Sequence, residues 1–276
     1  MRHQTAWAGV VMALMIGSSA EAAMLTLPED PKSGHRFDVG VDYENTLRRE
    51  LEKPDASDND VKRFQAVYGK IQYAVDPLLN VYAKLGEGSI THKIEDYFVS
   101  GIGRRDLTFK SDWGLAWGGG ITGALSLPLA DLKLGYDVNY HSVTADVDEV
   151  KHENLDSGDP AADFSRTGSN PSGQLQWREY QAAVWIANPV KLDSATLIPY
   201  LGAKWSRLTL DDDDFRYSVT DAGSTQTPTV DTTSHNVTRW GAVLGLRLVY
   251  DKRIVIVIEG HEIDDESVIT SVSWRF

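Results

Sequence analysis

The sequence predicts an all-β protein: a closed antiparallel transmembrane β-barrel, with ten strands expected and eight as the alternative count. Three observations predict it. Segments along the chain alternate apolar and polar residues with a period of two, their connections alternate between short and long, and the final segment carries alternate apolar residues up to Trp274 and Phe276.

Residues Met1 to Ala22 read as a secretory signal. Arg2 and His3 precede an apolar run from Ala6 to Ile16, and the small-residue triplet Ala20-Glu21-Ala22 follows. The run is about 11 residues, where a spanning helix needs roughly 20. Residues 23–276 are then expected to form one barrel domain, exported to the cell outer membrane.

The segments follow in order. Phe37, Val39, Val41 and Tyr43 lie opposite Asp38, Gly40, Asp42 and Glu44. Val67, Gly69, Ile71, Tyr73 and Val75 oppose Tyr68, Lys70 and Gln72, and Asp76-Pro77-Leu78 turns the chain into Leu79, Val81, Ala83 and Leu85 against Asn80, Tyr82 and Lys84. The fourth runs Trp113, Leu115, Trp117, Gly119, Ile121, Gly123 and Leu125. After Pro128-Leu129-Ala130, the fifth sets Leu132, Leu134, Tyr136, Val138 and Tyr140 against Lys133, Gly135, Asp137, Asn139 and His141. The sixth sets Tyr180, Ala182, Val184 and Ile186 against Glu179, Gln181 and Ala183, and turns at Asn188-Pro189. The seventh sets Leu197, Leu201, Ala203 and Trp205 against Tyr200, Gly202 and Lys204; Pro199 cannot donate to a ladder and belongs near its start. The eighth opposes Trp240, Ala242, Leu244, Leu246, Leu248 and Tyr250 to Arg239, Gly241, Gly245 and Arg247. Asp251-Lys252-Arg253 leads into Ile254, Ile256 and Ile258 against Val255, Val257 and Glu259, and the last segment is Val268, Thr270, Val272, Trp274 and Phe276.

Turns after the second, fourth, sixth and eighth segments take a few residues. Those after the first, third, fifth and seventh are expected as loops of roughly 13 to 32 residues, rich in Asp, Glu, Ser and Gly. This is the asymmetry of periplasmic turns and outer loops. Tyr43, Tyr73, Trp113, Tyr140, Tyr180, Trp205, Tyr250, Trp274 and Phe276 fall near the ends of the apolar faces, as interfacial girdles require.

Composition narrows the function. There is no cysteine, which removes disulfides, thiolate metal sites and cysteine nucleophiles. A net charge of -13 without a basic stripe argues against nucleic acid. A mean hydropathy of -0.30 is compatible with a barrel, in which only half of each strand faces lipid.

The segment from Val268 to Phe276 resembles the C-terminal signal of Gram-negative outer-membrane proteins, which implies the barrel assembly machinery as a partner. Tyr73 to Gly86, Trp117-Gly118-Gly119-Gly120 and Pro199-Tyr200-Leu201-Gly202-Ala203 resemble the hairpin and strand patterns of small OmpA-like and opacity-type barrels. That resemblance covers about half of the chain after the leader. It implies a scaffold whose activity lies in its loops, and the sequence departs from the family's usual eight strands and from members with a following peptidoglycan-binding domain.

The inward set holds the acids Asp38, Asp42, Glu44, Asp137, Glu179 and Glu259 and the bases Lys70, Lys84, Lys133, Lys204, Arg239, Arg247 and Arg275. Near-balance in a narrow barrel predicts an ion-pair network filling the lumen. The expected role is therefore a surface structural or adhesion scaffold; the alternative is a narrow channel for ions or small solutes. The excess acid falls in the outer loops, at Asp146, Asp148, Glu149, Glu153, Asp156, Asp159 and Asp163 and at Asp211 to Asp214. These suggest either divalent-cation capture or a solvated face toward lipopolysaccharide, and the spacing lacks an EF-hand pattern.

An enzyme is the third reading. His261, Glu262, Asp264 and Asp265 on the last hairpin and Asp211 to Asp214 nearby are residue types that omptin proteases place on their rim. No omptin motif accompanies them. A lipid hydrolase would need a serine paired with His141, and none stands at a recognisable spacing. His92, His152 and His235 are expected to be solvated loop histidines. No catalytic, cofactor-binding or metal residue is assigned.

Overall fold

In the computed structural model the described residues are 37–52, 58–76, 78–99, 103–128, 132–154, 166–167, 169–221, 224–227, 229–263 and 265–276. The expected leader, Met1 to Ala22, lies outside them. The strands are β1 (Phe37–Glu50), β2 (Asp58–Asp76), β3 (Leu79–Val99), β4 (Gly103–Ser111), β5 (Gly114–Ser126), β6 (Lys133–Asn154), β7 (Arg166–Thr167), β8 (Ser169–Ala187), β9 (Val190–Lys191), β10 (Ala195–Asp221), β11 (Ser224–Gln226), β12 (Thr229–His235), β13 (Trp240–Tyr250), β14 (Ile254–Glu262) and β15 (Glu266–Arg275).

All pairings are antiparallel and the sheet closes on itself. β1 pairs β2 on one side and β15 on the other, with Asp38 opposite Arg275 and Val41 opposite Val272. In the half with the short turns the circuit runs β1, β2, β3, β5, β6, β8, β10, β13, β14, β15 and back to β1. The strand count itself is corrected. Apart from the short β9 and β11, thirteen segments build the wall, because β4 and β5, β7 and β8, and β12 and β13 lie end to end. Asn236 occupies the break between β12 and β13. Its amide donates to the Thr238 carbonyl at 2.7 Å and accepts from the Leu208 N–H at 2.9 Å, replacing ladder bonds lost there.

The loops expected after the first, third, fifth and seventh segments are largely strand. β2 begins at Asp58, β3 runs to Val99, β6 to Asn154 and β10 to Asp221, so the wall continues well above the apolar band. Above the β14–β15 hairpin the circuit loses two rows. There β1 closes directly on β12, through the bridge Leu51–Asn236 and the bond from Glu52 N to His235 O at 2.7 Å. The upper circuit is β1, β2, β3, β4, β6, β8, β10, β12.

Burial follows the alternation and shows where the membrane lies. Val39, Val41, Ile71, Leu85, Leu115, Ile121, Val184, Leu201 and Leu244 point outward and are exposed, a surface too apolar for water. The outward row from Leu115 to Leu125 spans ~33 Å along β5, or ~25 Å along the membrane normal at ~40° of tilt, matching the apolar band of such barrels. Trp117, Tyr140 and Tyr180 form a girdle with ring centroids 5.3 and 4.7 Å apart. Above it the alternation keeps its register, but the apolar residues move to the inward positions. On β6 Val138 faces out but Val143 and Val147 face in, and on β10 Leu201 faces out but Leu208 and Leu210 face in.

The lumen is filled at both ends. The upper cluster includes Phe64, Ile90, Phe109, Val143, Trp177 and Leu208, with Phe64 stacked on Trp177 at 4.4 Å. The lower cluster includes Trp185, Ile198, Tyr200, Val255 and Val257. Trp185 lies across Gly135 and Tyr200 across Gly245, where any Cβ would overlap the ring, so these two glycines admit the plug. Pro199 is tolerated because its pairing with β8 begins only at Tyr200.

Candidate functional site

Between the two apolar clusters sits a belt of charged groups. It contains most of the inward residues read from the alternation: Asp42, Glu44, Asp137, Glu179, Glu259, Lys70, Lys84, Lys204, Arg247 and Arg275 are all buried. Asp38 meets Arg275 at 3.3 Å near the lower rim, and Lys133 is half-buried. Arg239 is corrected: it precedes β13 at the strand break and is exposed.

The belt holds two networks. In one, Tyr82 and Asn139 donate to Asp137, at 3.1 and 2.7 Å, while Lys84 approaches Asp42 at 3.5 Å and Ser271 donates to Asp42 at 2.9 Å. The Lys70 ammonium lies 4.5 Å from the Tyr82 ring centroid, an attraction that offsets part of its desolvation.

The other network crosses the lumen. Arg49 donates to Glu179 at 2.7 Å and to Ser206 at 2.6 Å, and lies 3.8 Å from Asp265. Lys204 donates to Asp265 at 2.9 Å and to His261 Nδ1 at 2.6 Å. His261 Nε2 donates to Glu259 at 2.9 Å, and Tyr200 donates to the same carboxylate at 2.5 Å. His261 thus bridges the Lys204 ammonium and the Glu259 carboxylate. His141 Nε2 meets the Trp177 indole N–H at 3.0 Å, with the Glu179 carboxylate 3.4 Å from the same nitrogen.

This network opens sideways. Where β1 leaves the short β14–β15 hairpin for β12, a cavity of about 240 Å³ remains, lined by Arg48, Arg49, Thr238, Glu262, Asp265 and Glu266 among others. Arg49 and Asp265 form its buried back and Glu262 and Glu266 its exposed lip. Asp60, aided by Glu50, raises the pKa of Arg48 at this opening above its ordinary value.

The rim residues considered from sequence are separated. His261 and Asp265 belong to the lumen network, Glu262 is exposed, and Asp264 lies outside the described residues. Asp211 accepts from Arg178, and Asp212 accepts from Thr232 at 2.5 Å with His92 3.4 Å away. Asp211 to Asp214 lie within β10 rather than opening a loop. His92 is not solvated: it is fully buried and bonded to Asn59 at 2.6 Å. His235 is half-buried in β12, and His152 is on β6. Asp146, Asp148, Glu149 and Glu153 are spread along β6, with Glu149 beside Lys151 at 3.4 Å; Asp156, Asp159 and Asp163 lie outside the described residues. Among the described residues no group of three or more His, Asp or Glu takes a metal-holding arrangement. Sequence reasoning missed Arg49, whose phase is shifted by a bulge between Thr46 and Arg48.

A family model described as Chlamydia major outer membrane protein matches residues 149–253. No curated relative matches the chain. Among solved structures, the β domain of the Bordetella autotransporter Brka aligns with a TM-score of 0.34 at 11% identity, over 88% of this chain and 98% of that one. The transport unit of the autotransporter AIDA-I from Escherichia coli aligns at 0.30 and 10%, over 87% and 89%. The closed ring rests on the strand pairing itself. With the apolar outer band and the family match, it makes this chain an outer-membrane β-barrel.

Proposed function

We propose that this barrel is a non-conducting surface scaffold, whose interactions are made by the polar wall above the membrane. The observation that carries the reading is the filled lumen: an apolar cluster at each end, with paired charges between. Wide aqueous pores belong to barrels with many more rows. In this reading Met1 to Ala22 direct export, the closing strand ending at Phe276 engages the barrel assembly machinery, and the acidic outer face meets lipopolysaccharide through bridging divalent ions, as expected of OmpA-like and opacity-type barrels. Planar-bilayer recording of pure refolded protein tests it. The expected outcome is a silent membrane; reproducible open-channel steps would establish the narrow-channel reading instead.

A further inference from the structure

Directly below the lateral opening, the lipid-facing wall carries a groove of about 670 Å³. Its origin is a missing side chain. Gly260 on β14 pairs with Leu244 on one side and Val268 on the other, so one row of the outward surface has a dent between two apolar residues. A Cβ at Gly260 would meet nothing closer than 3.7 Å, so the space is real and not forced by backbone crowding. Leu47, Pro199, Leu246 and Ile258 add to the apolar lining.

The groove ends upward in charge. Glu262 follows Gly260 by two residues and Glu266 precedes Val268 by two, so both share the outward face and stand over the dent. Both line the groove and the lateral opening. Neither has an ion pair among the described residues; Arg48, the cross-strand partner of Glu266, is instead bonded to Asp60 at 3.2 Å and to Glu50 at 3.5 Å. Ile263, beside them, holds a left-handed φ of 88° and is 72% exposed, which sets an apolar side chain at the lip.

We propose that this groove binds one amphiphile with an ammonium headgroup, its chain lying along Gly260 and its ammonium on Glu262 and Glu266. An anionic headgroup is repelled by the same two carboxylates, and a simple hydrocarbon leaves them uncompensated at the membrane surface. The inference is independent of whether the lumen conducts.

The test is native mass spectrometry of the full chain, refolded in nonionic detergent micelles and offered dioleoyl phosphatidylethanolamine or dioleoyl phosphatidylglycerol, with and without calcium. The expected result is one retained phosphatidylethanolamine per protein, preferred about fivefold over phosphatidylglycerol without calcium. Gly260→Leu fills the groove and is expected to lose both lipids. Glu262→Gln with Glu266→Gln is expected to keep a lipid and lose the preference. Heat-shifted gel migration confirms that each variant is folded. Equal retention of both lipids by the unmodified chain, retention by folded Gly260→Leu, or a preference for phosphatidylglycerol that appears only with calcium would each overturn the proposal.

Discussion

Arg49 illustrates how much can depend on one side chain in a filled lumen. Its guanidinium is fully buried and bridges Glu179, Ser206 and the neighbourhood of Asp265, joining strands far apart in sequence. Removing one partner of a buried pair leaves the other charge desolvated without compensation. Arg49→Met is therefore expected to lower stability by about 3–5 kcal/mol, read from urea unfolding followed by the heat-modifiable gel shift. Adding Glu179→Gln should recover a large part of that loss, because it removes the orphaned charge. A double variant whose loss equals the sum of the two singles would mean that the side chains are energetically independent.

At the scale of elements, the turn between β13 and β14 is the clearest case of local backbone demand. Asp251 and Lys252 hold φ of 47° and 58°, and Arg253 N donates to Tyr250 O at 3.1 Å, so the two residues centre a type I′ turn within the three-residue connection between the paired Tyr250 and Ile254. Lys252 has a Cβ where glycine would fit without strain. Lys252→Gly should stabilise the barrel by about 1 kcal/mol in the same urea assay, and a loss would mean that the lysine makes contacts that outweigh the backbone gain. The membrane half of each element was legible in sequence because lipid outside and charge inside give an unambiguous alternation, as in Leu134 to His141. The upper half was not, for a physical reason. Above the girdle water lies outside and apolar packing inside, so along the same strand the apolar residues pass from the outward to the inward positions: Leu201 and Ala203 face lipid, Leu208 and Leu210 face the core. A reading that follows one apolar face ends each strand where the apolar residues change sides, and so took Ile90, His92 and Ile94 for loop although all three are buried. The lateral opening was illegible for a different reason, since it arises from the shortness of one hairpin relative to its neighbours.

For the whole molecule, the two rings of different row number share one continuous interior. The lower ring is blocked by Trp185 and its neighbours, the upper by Phe64, Trp177 and theirs, and the charged belt spans the level between. Three serial obstructions behave differently from one gate. Phe64→Ala or Trp185→Ala should each cost about 3–5 kcal/mol, from lost burial and the cavity left behind. Neither should produce conductance, because the remaining levels still exclude ions: an ion crossing the opened level meets either close-packed apolar side chains or a belt of buried, nearly balanced charges. Planar-bilayer recording of the two folded variants separates the possibilities. Silence from both is the expected outcome and fits a lumen that serves as a packed core; open-channel steps from either single variant would identify that level as the sole barrier, and the barrel as a closed channel rather than a scaffold.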